Sequence, residues 1–240
     1  MLTSQKIKLI KSLGLKKNRV KHGLFAVEGE KCVGEFIDSG WGIEALYATD
    51  QWSGVGAVRI SEKELERISF LKSPNKVLAL IKINSQLIDV QGEIVIALDG
   101  VSDPGNLGTI IRLADWFGVK HICCSSNVVD CFNPKVVQAT MGSLSRVHLH
   151  YGNLKDMLTS LDDYELFCTV LDGPPTGTLR NFNKKVIVFG NESHGVSAEI
   201  QAICSYTVSI PKHVESKAES LNVAVACGIC LSNSFSITVR

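Results

Sequence analysis

The sequence has no apolar run able to span a bilayer. Leu221 to Val239 is uncharged, but Asn222, Ser232, Asn233, Ser234, Ser236 and Thr238 interrupt it. The charged N-terminus is not followed by the apolar core of a secretory leader. A cytoplasmic protein is therefore expected, its eight cysteines held as reduced thiols. Cys227-Gly-Ile-Cys230 has CxxC spacing, yet it lies inside the apolar stretch Val223 to Leu231 and lacks a second pair. Core thiols are expected there, with no zinc or redox site. His148 and His150 alternate on a predicted strand with no acid or cysteine close by in sequence, so no metal is expected. Also missing are a G-x-G-x-x-G turn, a P-loop and a G-x-S-x-G elbow, which argues against dinucleotide, nucleoside-triphosphate and hydrolase chemistry.

Acid is absent from residues 1–25, which carry seven Lys or Arg, so the net charge of +1 leaves the remainder at −6. Lys16, Lys17, Arg19 and Lys21 crowd this end. A basic end on a near-neutral body suggests an anionic partner, the bland alternative being a solvated helix face. What is present is ordinary globular material: 240 residues, 45% apolar and 20% charged, enough for one large domain or two small ones.

Periodicity divides the chain in two. Residues 4–13 read as a basic helix, 16–21 as a polar loop, 24–27 as a strand, and 30–39 as a helix closed by Gly40. A strand over 43–48, a helix opened by the capping box Ser61-Glu-Lys-Glu64, and a strand over 77–83 complete a small α/β domain, residues 1–84. Residues 85–92 are polar and read as a linker. From 93 to 240, apolar strands near 94–98, 121–124, 147–150, 166–170, 186–189 and 206–210 alternate with helices near 106–117, from 133, 154–161, 197–203 and 221–235. That alternation predicts a parallel sheet covered on both faces.

The most informative stretch is Ile94 to Val119. A buried strand ends in turn chemistry at Asp99-Gly100 and Asp103-Pro104-Gly105, and the period then changes from two to 3.6. Asn106 is positioned to cap the helix and Gly118 to end it. Polar side chains at the carboxyl end of such a strand are where open α/β sheets hold their ligands.

Leu98, Asp99, Val101, Asp103, Pro104, Asn106, Gly108, Ile110, Arg112, Ala114, Phe117 and Gly118 fill a known pattern. The segment resembles motif 1 of the SpoU (TrmH-like) branch of the SPOUT RNA 2′-O-ribose methyltransferases. Ile187 to Ser197, containing Gly190-Asn-Glu192 and Gly195, resembles motif 2. Ile210-Pro211 with Glu219-Ser-Leu-Asn222-Val-Ala-Val-Ala226 resembles motif 3. Phe25-Ala-Val-Glu-Gly-Glu30 is similar to the family's N-terminal substrate-binding domain, an L30e-like α/β fold. The loop Lys212–Glu219 departs from the pattern, being longer and without glycine.

The resemblance implies a C-terminal SPOUT domain whose parallel sheet is flanked by helices and whose chain closes in a trefoil knot. It implies S-adenosylmethionine held by Gly190, Asn191, Glu192, Gly195, Ile210, Pro211 and Leu221. Catalysis would fall to Arg112, with Asn106, Asn222 and Ser220 near the substrate. Lys16, Lys17, Arg19 and Lys21 are the expected RNA contacts. The N-terminal domain points to ribosomal RNA over transfer RNA. A non-catalytic RNA-binding or assembly factor on the same scaffold is the alternative from another class. The apolar helix at 221–235 implies a homodimer through the C-terminal domain.

Overall fold

The computed structural model describes residues 2–83 and 90–235. In chain order the elements are α1 (Ser4–Ser12), α2 (Lys16–His22), β1 (Leu24–Glu28), α3 (Glu30–Asp38), β2 (Ile43–Ala48), β3 (Val58–Arg59), α4 (Glu62–Ile68) and β4 (Val77–Lys82). They continue with β5 (Ile94–Asp99), α5 (Pro104–Trp116), β6 (His121–Ser125), α6 (Pro134–Thr140), β7 (His148–Gly152), α7 (Leu154–Thr159), β8 (Glu165–Thr169), β9 (Lys185–Gly190), α8 (Ala198–Gln201), β10 (Tyr206–Val208) and α9 (Val223–Ser234). Most of the expected linker lies outside the described residues.

The chain forms two compact units, one of Met1–Leu87 with Asp130–Arg146, the other of Ile88–Val129 with Val147–Arg240. In the first, a four-stranded sheet runs β1-β4-β2-β3, with β4 antiparallel to both β1 and β2. Every residue of β1 is buried, and α1 and α4 pack Ile10, Leu13, Leu65 and Ile68 against one face of the sheet. The capping box forms as read: Ser61 Oγ accepts from Glu64 N–H while Glu64 accepts from Ser61 N–H.

Residues 16–21 are not the expected loop but the helix α2. Arg19 anchors it: the side chain is buried and donates through Nε to Asp130 (2.9 Å) and through Nη1 to Leu13 O (2.7 Å). Gly23, at φ +62, closes the helix in the left-handed region that side chains avoid. The segment 130–146 is bound into this unit by that ion pair, by Glu35 with Arg146, by Trp41 Nε1 donating to Ser145 O (3.0 Å), and by Phe132 packed on Phe25.

The second unit is a six-stranded, all-parallel sheet in the order β10-β8-β9-β5-β6-β7. Its central strands β5 and β9 are buried up to their last residues and, apart from Lys185 at the start of β9 and Asp99 at the end of β5, apolar, as a sheet covered on both faces requires. On one face Val95, Ala97, Val186, Val188, Cys123 and Cys168 meet Leu154 and Leu158 of α7 and Ile200 of α8. The helix α5 buries Leu107, Ile110, Ile111 and Ala114. The α/β class and parallel sheet are those expected. Three short elements went unread: β3, and 3-10 turns over Ser143–Ser145 and, in the Gly- and Pro-rich stretch, over Thr176–Asn181.

Candidate active site

Parallel pairing sets the carboxyl ends of β10, β8, β9 and β5 side by side. Val208 lies beside Thr169, and Asp99 beside Gly190. The segments that resemble the three motifs all leave from this edge, so the sheet delivers them to one place.

The start of α5 differs from the sequence reading in an informative way. Asp103, not Asn106, is the N-cap, its Oδ1 accepting from Asn106 N–H at 2.8 Å, and Pro104 occupies the first turn where no donor is needed. The Asn106 side chain is thereby released from capping. Its Nδ2 donates to Glu192 Oε1 at 2.9 Å, and its Oδ1 accepts from Asn222 Nδ2 at 2.8 Å. Asn222 is the N-cap of α9, and its Oδ1 accepts from the amides of Ala224 (3.0 Å) and Val225 (3.3 Å). These backbone amides fix the orientation of both side-chain amides in the line. They require the Asn222 oxygen, which turns its NH2 to the Asn106 oxygen, which turns the Asn106 NH2 to a carboxylate. One residue from each motif thus joins a single hydrogen-bonded line.

At Gly190, one of the residues expected to hold the cofactor, the chain packs against itself: a Cβ there would lie 2.0 Å from the Gly195 carbonyl carbon and 2.1 Å from Val196 N. The loop folds straight back over Gly190, with Asn191 N–H donating to Gly195 O (3.0 Å), Gly195 N–H to Asn191 O (2.9 Å), and Gly195 at φ +68. Asn191 Oδ1 accepts from Ser193 N–H (2.9 Å), and its Nδ2 donates to Gly100 O (2.8 Å). Asn191 and Glu192 therefore fix this loop by hydrogen bonds.

Arg112 stands apart from the line. It lies six residues beyond Asn106, about 9 Å along the axis and a third of a turn around it. It is exposed with Gly105, Thr109 and Trp116 on one stripe of α5, and makes no hydrogen bond or ion pair with any described residue. Ser220 is exposed and likewise bonds to no described residue. Leu221 is 49% exposed, Ile210 half-buried and Pro211 exposed. Exposed apolar Leu221 and Pro211, on segments that leave the same edge as the Glu192 carboxylate and the side-chain amides, suit a ligand that is part adenine and part charged amino acid. The side-chain chemistry fits S-adenosylmethionine.

Arg19 is a correction. Only 2% exposed and paired with Asp130, it holds α2 in place and is not offered to RNA phosphates. Lys16, Lys17 and Lys21 of the same helix are exposed. Sequence reasoning undervalued Asp99, whose Oδ2 accepts from Ser197 N–H at 2.8 Å. Its place at the end of a buried strand was legible, but its partner is a backbone amide that no side-chain pattern reveals. Burial pushes the Cys230 thiol up to about 12 and the Cys227 thiol upward, so this CxxC holds inert core thiols. Among the described residues, no group of three or more His, Cys, Asp or Glu could hold a metal ion.

Comparison with known proteins accords with this geometry. Residues 93–232 match the SpoU rRNA Methylase family, and residues 4–79 match the MRM3-like substrate binding domain. The chain is 28% identical to the 23S rRNA (guanosine(2553)-2′-O)-methyltransferase RlmP of Bacillus subtilis over 94% of both proteins. Among solved structures, one of an RNA methyltransferase assigned to the TrmH family, from Porphyromonas gingivalis, is 35% identical and superposes with a TM-score of 0.89 over 98% of both chains. An AdoMet-bound rRNA methyltransferase from Sinorhizobium meliloti is 31% identical, with a TM-score of 0.87 over 98% of this chain and 95% of that one. The chain belongs to the SpoU rRNA methylase family and carries an MRM3-like substrate-binding domain ahead of its methylase domain.

Proposed function

We propose that the protein methylates a ribose 2′-hydroxyl of ribosomal RNA, with S-adenosylmethionine as donor and no metal. The observation that carries this reading is the line Glu192–Asn106–Asn222, which ties the three motif segments together at the carboxyl edge of the sheet. S-adenosylmethionine, when bound, supplies a methyl group on a sulfonium. Gly190, Asn191, Glu192, Gly195, Ile210, Pro211 and Leu221 would hold it, the loop bonds keeping these residues in place before it arrives.

Arg112 is assigned to the ribose. Its guanidinium holds its protons too firmly to serve as a base but is a fitting partner for the alkoxide that develops as the hydroxyl loses its proton. The proton leaves to a phosphate or water. Asn106, Asn222 and Ser220 line the approach. Exposed Lys16, Lys17 and Lys21 are assigned to backbone phosphates, which position RNA without reading its sequence.

Three further assignments belong to this reading. The protein works as a homodimer through its C-terminal unit: Trp116 on α5 is 83% exposed, and Val225 on α9 is 52% exposed. Apolar groups standing this far out on two packed helices suit a self-complementary interface. The segment after β10 is threaded as a trefoil knot, and the protein acts in the cytoplasm, where its eight cysteines would stay reduced.

The test is transfer of labelled methyl groups from S-adenosylmethionine to deproteinised ribosomal RNA, ribosomal subunits and transfer RNA, in chelator, followed by nucleoside analysis. The expected product is a 2′-O-methylnucleoside from ribosomal RNA. Label only in transfer RNA, or only on bases, would overturn the assignment. Sedimentation at micromolar concentration should give twice the 26.1 kDa chain mass.

A further inference from the structure

We propose that Asp99 is a positioning residue of the methyl-transfer site, closing the 190–197 loop so that Glu192 is presented to Asn106. This rests on the reading of that loop as part of the cofactor site. Asp99 ends β5 directly beside Gly190, which ends β9. From Gly190 the chain turns back within five residues and passes over its own starting point, packed against the bare Cα. The exit of the loop is then fixed by Ser197 N–H donating to Asp99 Oδ2 at 2.8 Å. Its entrance is fixed by Asn191 Nδ2 donating to Gly100 O at 2.8 Å. Both ends of the loop therefore depend on two consecutive residues of motif 1.

Between those anchors, residues 192–195 are exposed and carry the Glu192 carboxylate that Asn106 binds. Apart from the Glu192 contact, the remaining bonds of residues 191–195 run from one loop residue to another and fix its curl, while Gln201 Nε2 donates to Val196 O (2.7 Å) at the exit. A curl held at one end can pivot; held at both, it cannot. The bond at the exit is also the stronger kind, an amide donating to a carboxylate. Ser197 is in turn held to α8, its carbonyl accepting from Ile200 N–H (3.1 Å) and Gln201 N–H (2.9 Å), so the bond to Asp99 ties the loop exit and the start of α8 to the end of β5. Asp99 thus acts through Ser197 and the loop, without touching the reacting atoms.

The geometry supplies its own control. Ser197 has φ −63 and ψ 150, values proline adopts, so Ser197→Pro deletes the donor while suiting the local backbone. Four variants would be compared by calorimetry with S-adenosylmethionine, by single-turnover methyl transfer, by RNA affinity and by thermal midpoint: Asp99→Ala, Asp99→Asn, Ser197→Pro, and Asp99→Ala with Ser197→Pro. Asp99→Ala should weaken S-adenosylmethionine binding about tenfold, the scale of one charge-assisted hydrogen bond, and leave RNA affinity unchanged. Asp99→Asn keeps an acceptor oxygen and should restore most of the loss. The double variant should bind no more weakly than Asp99→Ala alone, because both changes remove the same bond.

Additive losses, an Asp99→Asn variant as poor as Asp99→Ala, or unaltered binding in Asp99→Ala would each overturn the proposal. If Ser197→Pro does not fold, the comparison of Asp99→Asn with Asp99→Ala decides. Glu192→Ala in the same assays separates the two ideas. No effect there means that the cofactor reading fails; loss there with none in Asp99→Ala overturns only the role of Asp99.

Discussion

The two units use charge in opposite ways. In the N-terminal unit the telling ionic groups are inside. Arg19 is enclosed with Asp130, and the buried Glu28 carboxyl accepts from Ser69 Oγ and Phe70 N–H, its pKa raised by burial. In the methylase unit they are outside. Glu192 and Arg112 are exposed, and neutral amides do the joining. A cation in the first unit can be mistaken for a ligand-binding group when it is part of the fold. In the second, an exposed arginine without a partner among the described residues has no evident role in the fold and is left to chemistry.

Breaking this contrast calls first for Arg19→Ala, which leaves Asp130 uncompensated near the core. It should cost about 3–5 kcal/mol of stability in the N-terminal unit. Calorimetry should show S-adenosylmethionine bound as before by protein that remains folded. Weak RNA binding without loss of stability would return Arg19 to the RNA surface.

Next in size is the effect of Lys16→Gln, Lys17→Gln and Lys21→Gln combined. If these lysines meet phosphates, the slope of log affinity against log salt should flatten by about two to three. The rate at saturating RNA should not change. An unaltered slope would make α2 a solvated surface.

The smallest effect concerns β6 and β7. His121 Nδ1 and His150 Nε2 lie 3.0 Å apart, both rings buried. Burial, aided by Lys120 for His148 and by His148 for His150, lowers the pKa of His148 and of His150 below the usual 6.5. The folded state therefore binds fewer protons than the unfolded chain. The stability is fully present above about pH 6.5 and is lost as pH falls through the lowered folded values. Each histidine can contribute at most about 1.4 kcal/mol per pH unit. His150→Gln should flatten the fall of the thermal midpoint between pH 7 and 5, and an unchanged fall would assign it to other groups.

The methylase unit was legible because its signals are local. Alternation between buried strands and amphipathic helices gave the sheet, and the polar residues at the end of β5 marked the edge that holds the site. What escaped was non-local. Arg19 lies 111 residues from its carboxylate, so nothing near it distinguishes a structural arginine from an RNA contact. Asn106 and Asp103 are both good caps, and only the structure shows that Asp103 takes the role. Once it does, Asn106 is left to bind Glu192, 86 residues away. Gly190 is a place of close approach, and what approaches is its own loop, a fold-back that no spacing in the sequence announces.

The most direct test of the central claim, that Arg112 serves chemistry and not structure, is the single-turnover rate of methyl transfer by Arg112→Ala at saturating RNA and S-adenosylmethionine. The account predicts a loss of at least about a hundredfold, the scale of removing one donor that stabilises developing charge. The thermal midpoint and the affinity for S-adenosylmethionine should be those of the parent. A parental rate, or a slow rate explained by a lowered thermal midpoint, would contradict it.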